Sequence, residues 1–98
     1  MADIEGPLLR FLVEAIESHR LSWTACGILA WLLSRLPETA HTAESLARAS
    51  PNEPLTALFL AVHELAAYGY VSLRDPHGSY LPTGHFRLLY PPAMGDDV

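Results

Sequence analysis

Apolar residues recur at helical spacing through the first part of the chain. Between Pro7 and His19 they follow one helix face, and proline stands at the first helical position, where its missing N–H is not needed. A second stretch begins after Ser22, a residue type that caps helices, and Pro37 ends it. The pattern predicts two helices, of which the second has little polar surface.

Two more helices follow at the same spacing. Thr42 is the expected cap of a short third helix, and the segment 50–52 (Ser-Pro-Asn) stops it and supplies the next cap. The fourth helix is expected from about Glu53 to Tyr68, and Gly69 occupies the position where helices commonly end in a left-handed residue. Its inward line is predicted to comprise Leu55, Leu58, Val62 and Leu65, with Ala61 allowing a neighbouring element to approach closely.

After Gly69 the hydrophobic period changes from about 3.6 residues to about 2. Val71 and Leu73 alternate with polar neighbours, and the segment 75–78 (Asp-Pro-His-Gly) is typical of a turn. Apolar residues alternate again between His85 and Tyr90, so a β-hairpin is predicted whose returning strand is regular only from His85. The fold class is therefore mainly α with a small β-hairpin.

Composition and charge limit the class of protein. With 98 residues, half of them apolar, the chain has room for one domain with one hydrophobic core. Charges interrupt the apolar stretches well before the roughly 20 residues that a membrane span needs, and no signal peptide is expected. Cys26 has no partner for an internal disulfide, which favours a cytoplasmic location. The net charge of −5 weighs against DNA binding, because basic residues supply the affinity for phosphates.

Five motifs follow one another at family-like spacing in the last three quarters of the chain. They are Leu21–Leu29 (LSWTACGIL), Glu44–Ala47 (ESLA), Val62–Val71 (VHELAAYGYV), the turn 75–78 and Tyr90–Pro92 (YPP). In this order they resemble a family of bacterial winged-helix modules found in replication-initiator-like proteins and small regulators. The resemblance implies a winged helix-turn-helix fold with an extra N-terminal helix, in which the fourth helix of this chain enters the DNA major groove.

The single domain, residues 1–98, is expected to have three parts. A leading helix, residues 4–20, precedes the winged-helix core, residues 21–92, and residues 93–98 are expected to form a frayed tail. The leading helix carries a wider apolar stripe than one contact with a small core needs. We therefore expect a two-fold homodimer whose interface includes Leu8, Leu9, Phe11, Leu12, Val13 and Ile16.

The outward face of the fourth helix is the first candidate binding surface. Helical phase places Thr56, Phe59, Leu60 and His63 there, where members of the family usually carry polar or basic residues. Three interpretations of Phe59 and Leu60 stay open. They are core residues if the helix is rotated, or a protein interface of the kind that exposed apolar pairs form, or contacts to thymine methyl groups.

Polar and basic residues extend this surface beyond the helix. Arg74 and Arg87 on the hairpin are candidates for contacts to DNA phosphates, or else are two solvated arginines on a polar sheet face. Arg48, at the end of the third helix, either contacts a phosphate or complements the helix dipole. Asn52 and His77 complete the candidate DNA- or partner-binding set.

The sequence carries no recognisable enzyme motif. Its five histidines and single cysteine lack the spacing of metal ligands, and it has no phosphate-binding glycine loop, nucleophile elbow or evident acid–base pair. We expect no catalysis, no cofactor and no metal. By analogy with the commonest use of the fold, we expect a dimeric regulator that binds double-stranded DNA. The alternative is a degenerate winged helix that has lost DNA binding and contacts a protein partner through its fourth helix.

Overall fold

The computed structural model describes residues 6–90, which form four helices and one small antiparallel sheet. The predicted mainly helical class is confirmed, and so are the four helices and the hairpin strands that follow them. The first residues of the predicted leading helix and the expected tail, 93–98, lie outside the described residues. The elements are α1 (Gly6–His19), α2 (Trp23–Ser34), β1 (Ala40–Thr42), α3 (Ala43–Ala49), α4 (Leu55–Ala67), β2 (Val71–Ser72) and β3 (His85–Leu88).

The sheet has three strands within residues 6–90, one more than the sequence predicts. β3 is central, because it pairs antiparallel with β2 in the expected hairpin and with β1 on its other edge. His41 in β1 lies opposite Phe86, and Val71 in β2 lies opposite Leu88. The sequence did not predict β1, because its three residues are too few to show an alternating pattern.

Side-chain oxygens mark the beginnings of α2 and α3. Ser22 Oγ accepts a hydrogen bond of 3.1 Å from the backbone N–H of Ala25, as expected for a helix cap. Thr42 Oγ1 accepts an equivalent bond of 3.1 Å from the N–H of Ser45. Both predicted caps are therefore confirmed, and each helix begins at the residue that follows its cap.

The beginning of α4 differs from the prediction. The helix begins at Leu55, and Pro54, not the segment 50–52, occupies the cap position without a side-chain hydrogen bond. The physical reason is that proline disfavours helical backbone angles at the residue before it, so Glu53 cannot open the helix as predicted. At the other end, Gly69 has the expected positive φ, 84°.

The core lies between α2, α4 and the sheet. Leu29 of α2 and Leu65 of α4 are fully buried, and Phe86 covers the cluster from the sheet. Leu55 was predicted to face inward, but 51% of its surface is exposed. It begins α4 one turn before Leu58, the first residue of this helix in the core. The other predicted inward positions are buried, namely Leu58, Val62 and Leu65, and so is Ala61.

The helix α1 packs part of its apolar stripe within its own chain. The Phe11 ring makes edge-on contacts with Tyr70 and Tyr90, at centroid distances of 5.5 and 4.9 Å. Leu9 and Val13 remain exposed, at 51% and 41%. The homodimer through α1 stays a prediction, and of the six predicted interface residues only Leu9 and Val13 remain exposed for such a contact. The remaining stripe residues pack against the core, namely Leu8, Phe11, Leu12 and Ile16.

Candidate interaction surface on α4 and the hairpin

The outward face of α4 has little charge. Thr56 and His63 are exposed, and Leu60 exposes 72% of its surface. Phe59 is only half-buried, so it belongs neither to the core cluster nor to the fully exposed face. No lysine or arginine occurs in Leu55–Ala67, the whole of α4. A solvent-exposed leucine at the centre of a face without cations is unusual for a helix that reads DNA.

A groove of about 320 Å³ separates α4 from the hairpin. Apolar and aromatic side chains form most of its wall, and its described lining includes no carboxylate. His63 and His85 add two polar groups to the lining. We call it the hairpin groove, and its principal apolar lining residues are Phe59, Val62, Leu73, Tyr80, Leu81 and Phe86.

The two arginines of the hairpin lie together. The Arg74 guanidinium lies 3.8 Å from the centroid of the Tyr80 ring, and its Nη1 donates a hydrogen bond of 2.7 Å to the carbonyl of Gly78. Arg87 Nε donates to the Arg74 carbonyl at 3.3 Å. Arg74 is therefore held against Tyr80, which forms part of the wall of the hairpin groove. Arg87 follows Phe86 in β3, so its side chain lies on the opposite face of the sheet from this lining residue.

The turn of the hairpin is fixed by its own acidic residue. The Asp75 carboxylate accepts hydrogen bonds from the backbone N–H groups of His77 and Ser79, at 2.9 and 3.0 Å. Gly78 has a φ of 94°, which a residue with a side chain rarely adopts. His77 is exposed at the tip. The turn therefore presents His77 and Arg74 on a locally ordered loop.

Two of the predicted site residues lie away from the hairpin groove. Arg48 forms an ion pair of 3.4 Å with Glu44 one turn earlier in α3, and both side chains are more than two-thirds exposed. It lines a separate polar hollow together with Arg35 and Ser45. Asn52 is exposed in the connection between α3 and α4. Of the predicted set, Phe59 and His63 line the hairpin groove, and Arg74 contacts its wall through Tyr80.

Sequence reasoning missed Tyr80, which exposes 72% of its surface and forms part of the groove wall. The residue lies in a stretch with Pro82 and Gly84 that shows no strand pattern, although an isolated bridge pairs it with Arg74 across the hairpin. An aromatic residue six positions after an arginine, across a turn, was the available signal. Cross-strand pairs of this kind are known to interact.

The histidine His41 is a structural residue. It is 6% exposed, and its Nε2 lies 3.2 Å from the carbonyl oxygen of Glu38. Its ring also contacts Trp31 and Phe86. Burial lowers the pKa of His41, because the charged imidazolium loses its hydration.

Residues 6–90 contain neither a cluster of metal ligands nor a helix that could span a membrane. No group of three or more His, Cys, Asp or Glu side chains in this range is arranged to hold a metal ion. None of the helices in the described range is both long enough and apolar enough to cross a bilayer.

In comparisons with known proteins, by sequence and by structure, the chain has no recognisable relative: no protein-family model, curated protein or solved structure matches it. The function is therefore inferred from the chemistry of the candidate interaction surface.

Proposed function

We propose that this chain is a winged-helix domain that binds a protein partner through α4 and the hairpin. The fold assignment is supported by the order of α2, β1, α3 and α4, followed by two strands, with β3 at the centre of the sheet. In this assignment α3 and α4 form the helix-turn-helix, the hairpin is the wing, and α1 is an addition to the core.

The observation that carries the protein-binding function is the chemistry of the hairpin groove. Its lining is apolar, and the neighbouring face of α4 exposes Leu60 without a single cation. Exposed apolar surface of this kind marks a contact with another apolar surface. Affinity for the DNA backbone, by contrast, comes mainly from lysine and arginine, and α4 has neither.

The electrostatics of the groove indicate the kind of partner. Arg74 lies over Tyr80 at the wall, His63 and His85 belong to the lining, and no carboxylate of the described chain is among the lining residues. A partner segment with apolar side chains and flanking carboxylates would complement both properties. We therefore expect an acidic segment whose apolar side chains enter the groove.

A peptide library displayed on phage tests this function. We expect selection on the wild-type protein to enrich sequences that combine aromatic or branched apolar residues with Asp or Glu. Synthetic peptides from that selection should lose binding to a Leu60→Ser, Tyr80→Ala variant, whose changes affect two residues that are each 72% exposed. A Leu9→Ser variant is the matched control, because it removes an exposed leucine from α1. Equal binding to all three proteins would refute the function.

DNA binding is the second candidate, supported by the adjacent arginines of the hairpin. If this candidate is correct, the dimeric regulator expected from the resemblance would bind double-stranded DNA, and Arg74→Ala with Arg87→Ala would flatten the salt dependence by about one unit of slope per lost contact. Thr56→Arg with Leu60→Arg separates the two functions at exposed positions. It should strengthen non-specific DNA binding in a mobility-shift titration, but abolish binding of the selected peptides, because two introduced charges would have to be desolvated.

A further inference from the structure

A tryptophan, a glycine and a second tryptophan follow one line of the helix α2. Trp23, Gly27 and Trp31 are four residues apart, so they lie on the same side of the helix. Trp23 exposes 83% of its surface, more than any other large apolar residue described. Trp31 is half-buried against the core. The line therefore presents a protruding ring beside a position without a side chain.

Within residues 6–90, no other residue packs on the position where Gly27 lacks a side chain. A Cβ atom built on it meets nothing within 4 Å, and the residue is exposed. Glycine inside a helix is destabilising relative to alanine, and Gly27 needs no unusual backbone angle, since it does not have a positive φ. Open space above a helical glycine is, however, what allows another surface to approach the backbone closely.

A second groove, of about 290 Å³, lies directly beside this glycine. Its walls come from α2, with Trp23 at one edge, from α3, from Leu58 of α4, and from Ser50 and Glu53 in the connection between α3 and α4. Within residues 6–90, the Glu53 carboxylate accepts no hydrogen bond and the Trp23 indole N–H donates none. We call this feature the Gly27 groove.

We propose that a second copy of this chain docks on the Gly27 groove, with Trp23 of each copy in the groove of the other. A two-fold contact joins the same patch on both copies, so that patch must contain both a protrusion and a recess. Trp23 and the Gly27 groove supply the two side by side. The indole N–H of one copy can then donate to Glu53 of the other, so each contact satisfies one donor and one acceptor.

The size of this contact sets the expected affinity. Two tryptophans that become buried remove on the order of 300–500 Å² from water, and the groove walls that they cover lose a similar area. The total is still below the roughly 1,200 Å² of a stable interface. We therefore expect a dimer that dissociates at low protein concentration, with a dissociation constant between about 1 μM and about 1 mM. This surface is separate from the hairpin groove, so a dimer formed here keeps both hairpin grooves open.

Sedimentation equilibrium over a range of concentrations tests the proposal. Trp23→Ala removes the protrusion, and Gly27→Gln fills the recess. Each variant should dissociate about thirtyfold more readily for each lost contact, the loss typical of a tryptophan at the centre of an interface (about 2 kcal/mol, at 1.4 kcal/mol per tenfold), and a homodimer of either variant lacks two contacts. Both positions are exposed, so circular dichroism should show folded proteins, and Gly27→Gln should melt at a higher temperature than wild type.

A mixture of the two variants gives the decisive result. Homodimers of Trp23→Ala lack both protrusions and homodimers of Gly27→Gln lack both recesses, but a mixed dimer retains one complete contact. The mixture should therefore associate more strongly than either variant alone. A monomeric wild type throughout the range would overturn the proposal, as would a mixture that associates no better than its components. Loss of the dimer in Leu9→Gln, Val13→Gln, with no effect of the α2 variants, would assign the interface to α1 instead.

Discussion

The carboxylate of Glu64 joins α4 to the beginning of α2, and its removal should destabilise the fold. Glu64 Oε2 accepts a hydrogen bond of 2.8 Å from the backbone N–H of Ser22, and Oε1 accepts one of 2.8 Å from the Ser22 hydroxyl. The same hydroxyl accepts from the N–H of Ala25. One carboxylate from a distant helix thus holds the residue that caps α2, at the end where helix dipoles favour negative charge.

The magnitude follows from these two bonds. A hydrogen bond to a charged group contributes about 1.5–3 kcal/mol, so two at the lower limit give about 3 kcal/mol. Ser22 is exposed and Glu64 is half-buried, and competition from water reduces the sum to roughly 1.5 kcal/mol. The lost carboxylate near the helix terminus adds about 0.5 kcal/mol. We expect Glu64→Ala to lower the free energy of unfolding by about 2 kcal/mol, and the midpoint of thermal unfolding by about 10 °C.

Urea unfolding of Glu64→Ala, Ser22→Ala and the double variant measures this contribution. The coupling energy of the cycle should be about 0.7 kcal/mol, half of the roughly 1.5 kcal/mol above, because both single changes remove the hydroxyl–carboxylate bond. The bond from the backbone N–H of residue 22 is lost only in Glu64→Ala. Glu44→Ala is the matched control, because it also removes a carboxylate at the beginning of a helix, but one that forms an exposed pair with Arg48, and it should cost less than about 1 kcal/mol. A coupling energy near zero, or equal losses for Glu64→Ala and Glu44→Ala, would refute the reasoning.

Three further residues give independent tests. The pKa of His41 is lower in the folded protein than in the unfolded chain, so the unfolded chain takes up the proton at a higher pH. The free energy of unfolding should therefore fall as the pH drops below about 6.5. In urea titrations at several pH values, His41→Gln should reduce this dependence on pH. Burial, followed by the Glu64 charge, raises the pKa of Cys26, so its thiol should react far more slowly with a thiol reagent at pH 8 than in urea. Gly69→Ala should lower the free energy of unfolding by about 1–2 kcal/mol, because φ at this position is 84°. Gly27→Ala is the control glycine substitution and should have the opposite effect, raising the free energy of unfolding by up to about 1 kcal/mol.

Local signals in the sequence predicted most of the fold. Ser22, Thr42 and Gly69 act through bonds and angles within a few residues of themselves, so their effects are readable without tertiary structure. The strand β1 forms because it pairs with one edge of β3, which is distant in sequence. A strand of three residues is too short to show a hydrophobic period, so the sequence did not predict it. The error at Leu55 has a different origin: Leu55 shares the inward phase of Leu58, but it is the first residue of α4 and lies one turn before the helix reaches the core.

The candidate site was predictable only in part. The phase of α4 correctly separated Leu58 and Val62 from exposed Thr56 and Leu60, because helical periodicity relates residues within one element. The partnership of Tyr80 with Arg74, and that of Glu64 with Ser22, depend on how separate elements meet. The first contact depends on the pairing across the hairpin, and the second depends on how α2 packs against α4. The hydrophobic period within a single segment predicts neither contact.

The distribution of charge explains why the bulk composition gave an incomplete picture of function. The chain has a net charge of −5, but four of its eleven carboxylates, namely Asp3, Glu5, Asp96 and Asp97, lie in the terminal segments. Residues 6–90 hold all six arginines and the other seven carboxylates, so this part is close to neutral. Net charge by itself therefore does not decide between DNA and protein as partner. The local arrangement is more informative, because screening limits each charge to a range of about 10 Å. On the scale of the hairpin groove, an apolar wall beside Arg74 and without a carboxylate favours an acidic, partly apolar protein segment.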